Sequence, residues 1–162
     1  MGLDMYLSVR SYVSSVARWE NYEAVRSDKF DELVKLVDAE DLLCDDSVVG
    51  GHVEIPVYYW RKANSIHQFF IDNYADGVDN CKPVYLPRAA LEELVDRCNK
   101  IIEDPDRASE HLPTVSGFFF GSTDYDDWYM DSIKQTRDDM QELLDKLEAK
   151  EEDLDLIYEA SW

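Results

Sequence analysis

Between Pro87 and the Asp104-Pro105 pair, six apolar residues recur at the three- and four-residue spacing that lines one face of a helix: Leu91, Leu94, Val95, Cys98, Ile101 and Ile102. Pro87 suits the first helical position, where its missing N–H breaks no bond, and Asp104 before Pro105 is biased out of the helix. A helix with a single apolar stripe survives in water only when that stripe packs against another layer, so the chain must supply one.

A second stripe is longer. Tyr129, Ile133, Thr136, Met140, Leu143 and Leu147 predict a helix from about Asp124 to Lys150, with Thr123 as its cap and Asp124, Asp126 and Asp127 against the positive end of its dipole. Ser27-Asp28 followed by Phe30, Leu33, Val34 and Val37 predicts a shorter helix ending near Asp38. A fourth is expected from about Trp60 to Asn73. Strand character runs from Leu3 to Val13, which is rich in Tyr, Val and Leu. It returns after the Gly50-Gly51 turn, where Val53, Ile55, Val57 and Tyr59 alternate with His52, Glu54, Pro56 and Tyr58, the Pro pointing to an edge position or a bulge. Leu154, Leu156 and Tyr158 alternating with acids suggest a short final strand. The expected fold is α+β: a small, mainly antiparallel sheet with about four helices on one face, the last of them long and acidic, in a single domain over residues 1–162.

A chain of 162 residues can bury roughly 70% of its extended surface. Its 45% apolar and 12% aromatic content excludes disordered and collagen-like classes. Charge is the outlier: 36 Asp and Glu against 16 Lys and Arg give a formal −20, which opposes direct binding to nucleic acid or anionic membrane. The opening residues have an early acid and no signal-like apolar run, and nowhere do eighteen apolar residues follow one another. Cys44, Cys81 and Cys98 are odd in number and widely spaced, so thiols in a reducing cytoplasm are expected, with Cys98 a small core residue.

The acids cluster. Residues 123–162 carry 14 acids and 4 bases, net −10, and residues 20–54 carry 11 acids and 3 bases, net −8. On a helical wheel Asp127, Asp131, Asp138, Glu142 and Asp145 share a narrow arc opposite the apolar stripe, with Lys134 as the expected base beside them. A solvated face accounts for such a row. A rigid line of carboxylates also imitates the phosphates of a duplex, so these five are the candidate partner-binding residues.

Metal and catalytic patterns were tested against the same residues. There is no Cys-x-x-Cys and no His-Glu-x-x-His, and His52, His67 and His111 lie far apart, so neither metal nor cofactor is expected. The loop from Asp72 fails as a calcium loop because its third position is Tyr74 and its twelfth is Pro83. Gly117 to Gly121 is followed by three Asp and no Lys, which repels phosphate. The remaining constellation is Arg61, Asn64 and His67 with Asp124: an anion clamp and general acid–base on one reading, an Arg61 ion pair to Asp124 or Asp126 and a buried, hydrogen-bonded His67 on the other.

Three blocks, Met1-Gly2-Leu3-Asp4-Met5-Tyr6-Leu7, Tyr59-Trp60-Arg61-Lys62-Ala63-Asn64 with Ile66-His67, and Ser116 to Asp126, resemble a functionally uncharacterised family of small acidic bacteriophage and bacterial proteins. The resemblance implies a phage setting and no mechanism. By analogy of class, the expectation is a non-enzymatic inhibitor in the host cytosol, an anti-defence protein or DNA mimic that binds the basic surface of a host protein. The alternative is a small enzyme or ligand-binding domain using Arg61, Asn64 and His67 beside the Gly117–Asp126 loop.

Overall fold

Side-chain periodicity becomes a core when the two long stripes meet a sheet. A computed structural model describes residues 2–43, 49–150 and 154–162. Its strands are β1 (Asp4–Ser14), β2 (Val16–Glu20), β3 (Glu23–Arg26), β4 (Gly50–Arg61), β5 (Val84–Leu86) and β6 (Asp155–Ser161). The helices are α1 (Asp28–Leu36), α2 (Asn64–Tyr74), α3 (Arg88–Glu103), α4 (Ala108–His111) and α5 (Asp127–Glu148). The fold is α+β as expected, with a four-stranded antiparallel sheet in the order β4-β1-β6-β5 and a separate β2-β3 ribbon.

The described chain divides into two compact units, residues 1–9 with 56–162, and residues 10–55; β1 and β4 contribute to both. In the first unit Leu3, just before β1, Met5 and Leu7 of β1 and Leu156 and Tyr158 of β6 face a core shared with Phe70 of α2, Leu91 and Leu94 of α3, and Ile133 and Met140 of α5. On the opposite face of that sheet Tyr6, Tyr59 and Tyr85 are exposed, while Ile157, paired with Tyr85, is buried. Cys98 is buried in this core, and burial pushes its thiol up to about 12, so it behaves as an inert apolar group. Cys81 is half-buried and free, and Cys44 lies outside the described residues. In the second unit α1 is capped by Ser27, whose hydroxyl accepts from Phe30 N–H as its sequence position predicts, and it buries Phe30 and Val34. Gly50 is obligatory there, because a Cβ would fall on the Tyr12 hydroxyl.

Four local expectations need correction. Trp60 and Arg61 belong to the end of β4 and α2 begins at Asn64, because the Trp60 indole N–H must reach Thr136 Oγ1 on α5 at 3.0 Å. On β4 the residues turned inward are Tyr58 and Trp60, while Val57 and Tyr59 stay exposed; the two inward rings find polar partners on α5, with Tyr58 donating to Asp139 at 2.5 Å. β4 is nonetheless an edge strand, as Pro56 suggested. Asp126, not Thr123, caps α5, its carboxylate accepting from Tyr129 N–H, and Pro87 sits at the cap of α3 rather than inside it. The β2-β3 ribbon, β5 and α4 had no expected counterpart.

Candidate functional site

The fold sorts the two candidate groups differently. Asp127, Asp131, Asp138, Glu142 and Asp145 are all exposed on α5, on the side away from buried Ile133, Thr136 and Met140. At 1.5 Å per residue the row spans about 27 Å. Its compensation is greater than Lys134 alone would give. Arg137 Nε lies 2.6 Å from Asp138, Lys146 Nζ lies 2.5 Å from Glu142, and Gln141 donates to Asp145 at 2.9 Å. Both pairs come from bases one and four residues away, whose long side chains swing round the helix surface. Among the described residues Asp124, Asp127 and Asp131 make no ion pair, so the unbalanced charge gathers at the N-terminal end of α5. Trp128, 53% exposed, stands within that acidic end.

The Arg61, Asn64, His67 and Asp124 group does not assemble into one site. Arg61, on β4, is 60% exposed and its Nε lies 3.9 Å from Asp4, so the expected partners Asp124 and Asp126 are replaced by Asp4. The same Asp4 carboxylate accepts the Tyr59 hydroxyl, and this hydrogen bond raises the Tyr59 pKa. Asp124 is exposed, its backbone N–H bonded to Ser122 Oγ. Asn64 is buried and fully used: its amide nitrogen donates to the carbonyls of Phe120 and Ser122 at 3.0 and 2.9 Å, and its oxygen accepts from Val115 N–H at 3.1 Å. It therefore fastens the loop that carries the Gly117 to Gly121 run. Gly121 closes that loop with φ 91°, and a Cβ there would press to 3.2 Å of Lys62 Cβ, itself in a positive-φ turn. The cleft shared by Asn64, Asp124, Lys62 and Trp128 holds about 10 Å³, room for one water at most.

His67 is completely buried on α2 and has two partners rather than one. Its Nδ1 is 2.7 Å from the Tyr158 hydroxyl and its Nε2 is 3.0 Å from Asp79. A carboxylate can only accept, so Nε2 carries a proton toward Asp79, and in the neutral imidazole Nδ1 then accepts from the Tyr158 hydroxyl. Trp162 Nε1 donates to the other Asp79 oxygen at 3.1 Å, completing a chain from β6 through α2 to the loop before β5 and back to the C-terminal residue. Burial raises the Tyr158 pKa well above its usual value. Asp79 and Tyr158 were not marked in the sequence, where one lay in a loop and the other in a strand 91 residues from His67. A wider cavity, about 490 Å³, lies among Leu86, Pro87, Arg88, Leu147 and Leu156, and none of the candidate partner-binding or ligand-site residues lines it.

Among the described residues no group of three or more His, Cys, Asp or Glu is placed to hold a metal ion, and no helix is long and apolar enough to cross a membrane. No protein family, curated protein or solved structure matches this chain.

Proposed function

We propose that the chain is a non-enzymatic binding protein that offers the acidic face of α5 to the basic groove of a nucleic-acid-binding or defence protein, and so keeps nucleic acid out. The setting proposed is the cytosol of a bacterial host, the one implied by the sequence resemblance. The supporting observation is the exposed row from Asp127 to Asp145 on a 22-residue helix anchored by a buried stripe. Five carboxylates over about 27 Å stand roughly 7 Å apart, against ~3.4 Å between phosphates along one DNA strand. The mimicry is thus coarse, about half the density of a strand. The bases already present are weak competitors: exposed pairs such as Arg137–Asp138 and Lys146–Glu142 contribute only ~0–1 kcal/mol, so a partner's arginines displace them at small cost.

The test is capture from a bacterial lysate on immobilised protein at low salt, with elution by salt. It is repeated with the quadruple variant Asp131→Asn, Asp138→Asn, Glu142→Gln and Asp145→Asn. These positions are exposed, so the variant folds, with a melting temperature at or above the parent's because like-charge repulsion along the helix is relieved. Its captured partner is expected to bind at least ~10-fold more weakly and with a shallower salt dependence. Equal affinity across parent and variant removes the reading.

A further inference from the structure

The β2-β3 ribbon lies in the second unit and shares no residue with α5. Its register pairs Trp19 with Ala24 and Glu20 with Glu23, leaving Asn21-Tyr22 as a two-residue turn. Both turn residues have positive φ, 48° and 69°, as a type I′ turn demands. Asn is at home in that geometry. The second position belongs to Gly, and a bulky aromatic there is an outlier with a local strain cost.

Among the described residues no side-chain contact of Tyr22 offsets that strain. Tyr22 is 100% exposed and Trp19 is 69% exposed. Among the described residues the Tyr22 side chain has no hydrogen bond and no ring contact. Glu20 and Glu23 stand directly opposite each other, a like-charge pair that weakens a ribbon, and among the described residues only Glu20 of the two has an ion pair, to Arg18 at 2.6 Å. Strained backbone, two large solvated rings and facing carboxylates therefore coincide at one tip. Local choices that oppose the fold in this way collect where a surface is kept for recognition.

We infer that this tip is a recognition finger that inserts Tyr22, flanked by Trp19, into an apolar pocket with a basic rim on a partner protein. Exposed Tyr and Trp are the residues that anchor interfaces once a pocket desolvates them. The rim is basic by charge complementarity: Glu20 and Glu23 flank the ring, and the chain's −20 repels nucleic acid, anionic lipid and a second copy of itself. The finger is independent of the α5 face, so either surface can fail its test without the other.

The experiment uses the full chain and a defined probe, amino-substituted β-cyclodextrin, which is a small apolar cavity rimmed by ammonium groups, with neutral β-cyclodextrin as control. Two-dimensional amide NMR follows each titration. The Trp19 to Glu23 signals are expected to shift first, with the cationic host binding about fivefold tighter at low salt, the size of one or two near-surface charge pairs. Tyr22→Gly should abolish binding at the tip while raising the melting temperature, because Asn followed by Gly is the preferred type I′ pair. Glu20→Gln with Glu23→Gln should make the two hosts equal. The inference is overturned if Tyr22→Gly lowers the melting temperature, which would make Tyr22 a folding residue. It is equally overturned if the cationic host shows no preference for the tip over Trp128 and Phe118, or none over the neutral host.

Discussion

Residues 56–162 with 1–9 and residues 10–55 use their apolar side chains in opposite ways. In the first unit Leu3, Leu7, Phe70, Leu94, Ile133 and Met140 are fully buried in one interlocked cluster. In the second only Phe30 and Val34 are buried among the described apolar side chains, while Trp19, Tyr22, Leu36, Val37, Leu42 and Val49 are largely exposed. Their charge is less different, since acids predominate in both α5 and residues 20–54. What separates the units is the packing beneath the charge. A dense core can hold a long acidic helix straight against its own repulsion, whereas a thin one holds a short helix and a ribbon whose tip is strained. Stability is expected to be graded accordingly, with local opening cheaper in residues 10–55.

The largest effect separates the units by cutting one buried aliphatic side chain in each back to alanine, a loss of three carbons in the first and two in the second. Ile133→Ala removes a fully buried side chain from the first core and should cost ~2–5 kcal/mol in denaturant unfolding of the full chain. Val34→Ala, in the thinner core, should cost about 1 kcal/mol, because a loosely walled site collapses around the loss. Equal costs would erase the distinction.

A smaller loss is expected from the polar chain inside the first unit. His67→Ala leaves the buried Tyr158 hydroxyl without its imidazole partner and takes from Asp79 one of its two donors, the Trp162 indole remaining, at ~1–3 kcal/mol, or roughly 2–10 °C in melting temperature. Parent-like melting would show that His67 is not structural and would reopen a chemical role for it.

High pH should strike the first unit selectively. Burial, strengthened by the carboxylates of Asp139 and Glu93 respectively, raises Tyr58 and Tyr74, the latter to about 12; burial also raises Tyr129 and Tyr158. A folded pKa above the unfolded value near ~10 gives stability that is complete below that value and is lost as pH rises toward the folded ones. Tyrosinate absorbance should therefore rise late for these residues and together with loss of α3 and α5 amide signals. Early, non-cooperative ionisation of all ten tyrosines would contradict the packing described for this unit.

The sequence made legible what depends on period and on local caps. The stripes of α3 and α5, the Ser27 cap and the strands β1, β4 and β6 follow from neighbours within a few residues. The partners of Arg61 and His67 did not, because they are set by which strands pair and which loop closes over α2. Asp4 reaches Arg61 only because β1 pairs with β4. The helix expected from Trp60 begins later because a contact 76 residues away decides where Trp60 points. The ribbon escaped notice since its turn lacks the Gly that advertises a hairpin, the same departure that singles out its tip. Of the candidate site, the acidic row kept its place on one helix face, but its pairing with Arg137 and Lys146 depends on rotamers that spacing alone does not fix.

Beneath both units lies one claim: carboxylates outnumber every base that could pair with them, and the surplus remains free to attract a basic surface. With 36 acids and 16 bases, negative charge exceeds positive by 20 however the side chains are arranged. Their mutual repulsion opposes compaction, and salt screens it over ~10 Å at 0.1 M. The attractive pairs that salt would also weaken are mostly exposed, worth ~0–1 kcal/mol each. The direct measurement is a thermal melt series of the full chain in rising monovalent salt at neutral pH. The account predicts a melting temperature that climbs with salt and then levels off. A melting temperature that falls with salt would mean that attractive ion pairs dominate, and that the acidic surface is already satisfied from within.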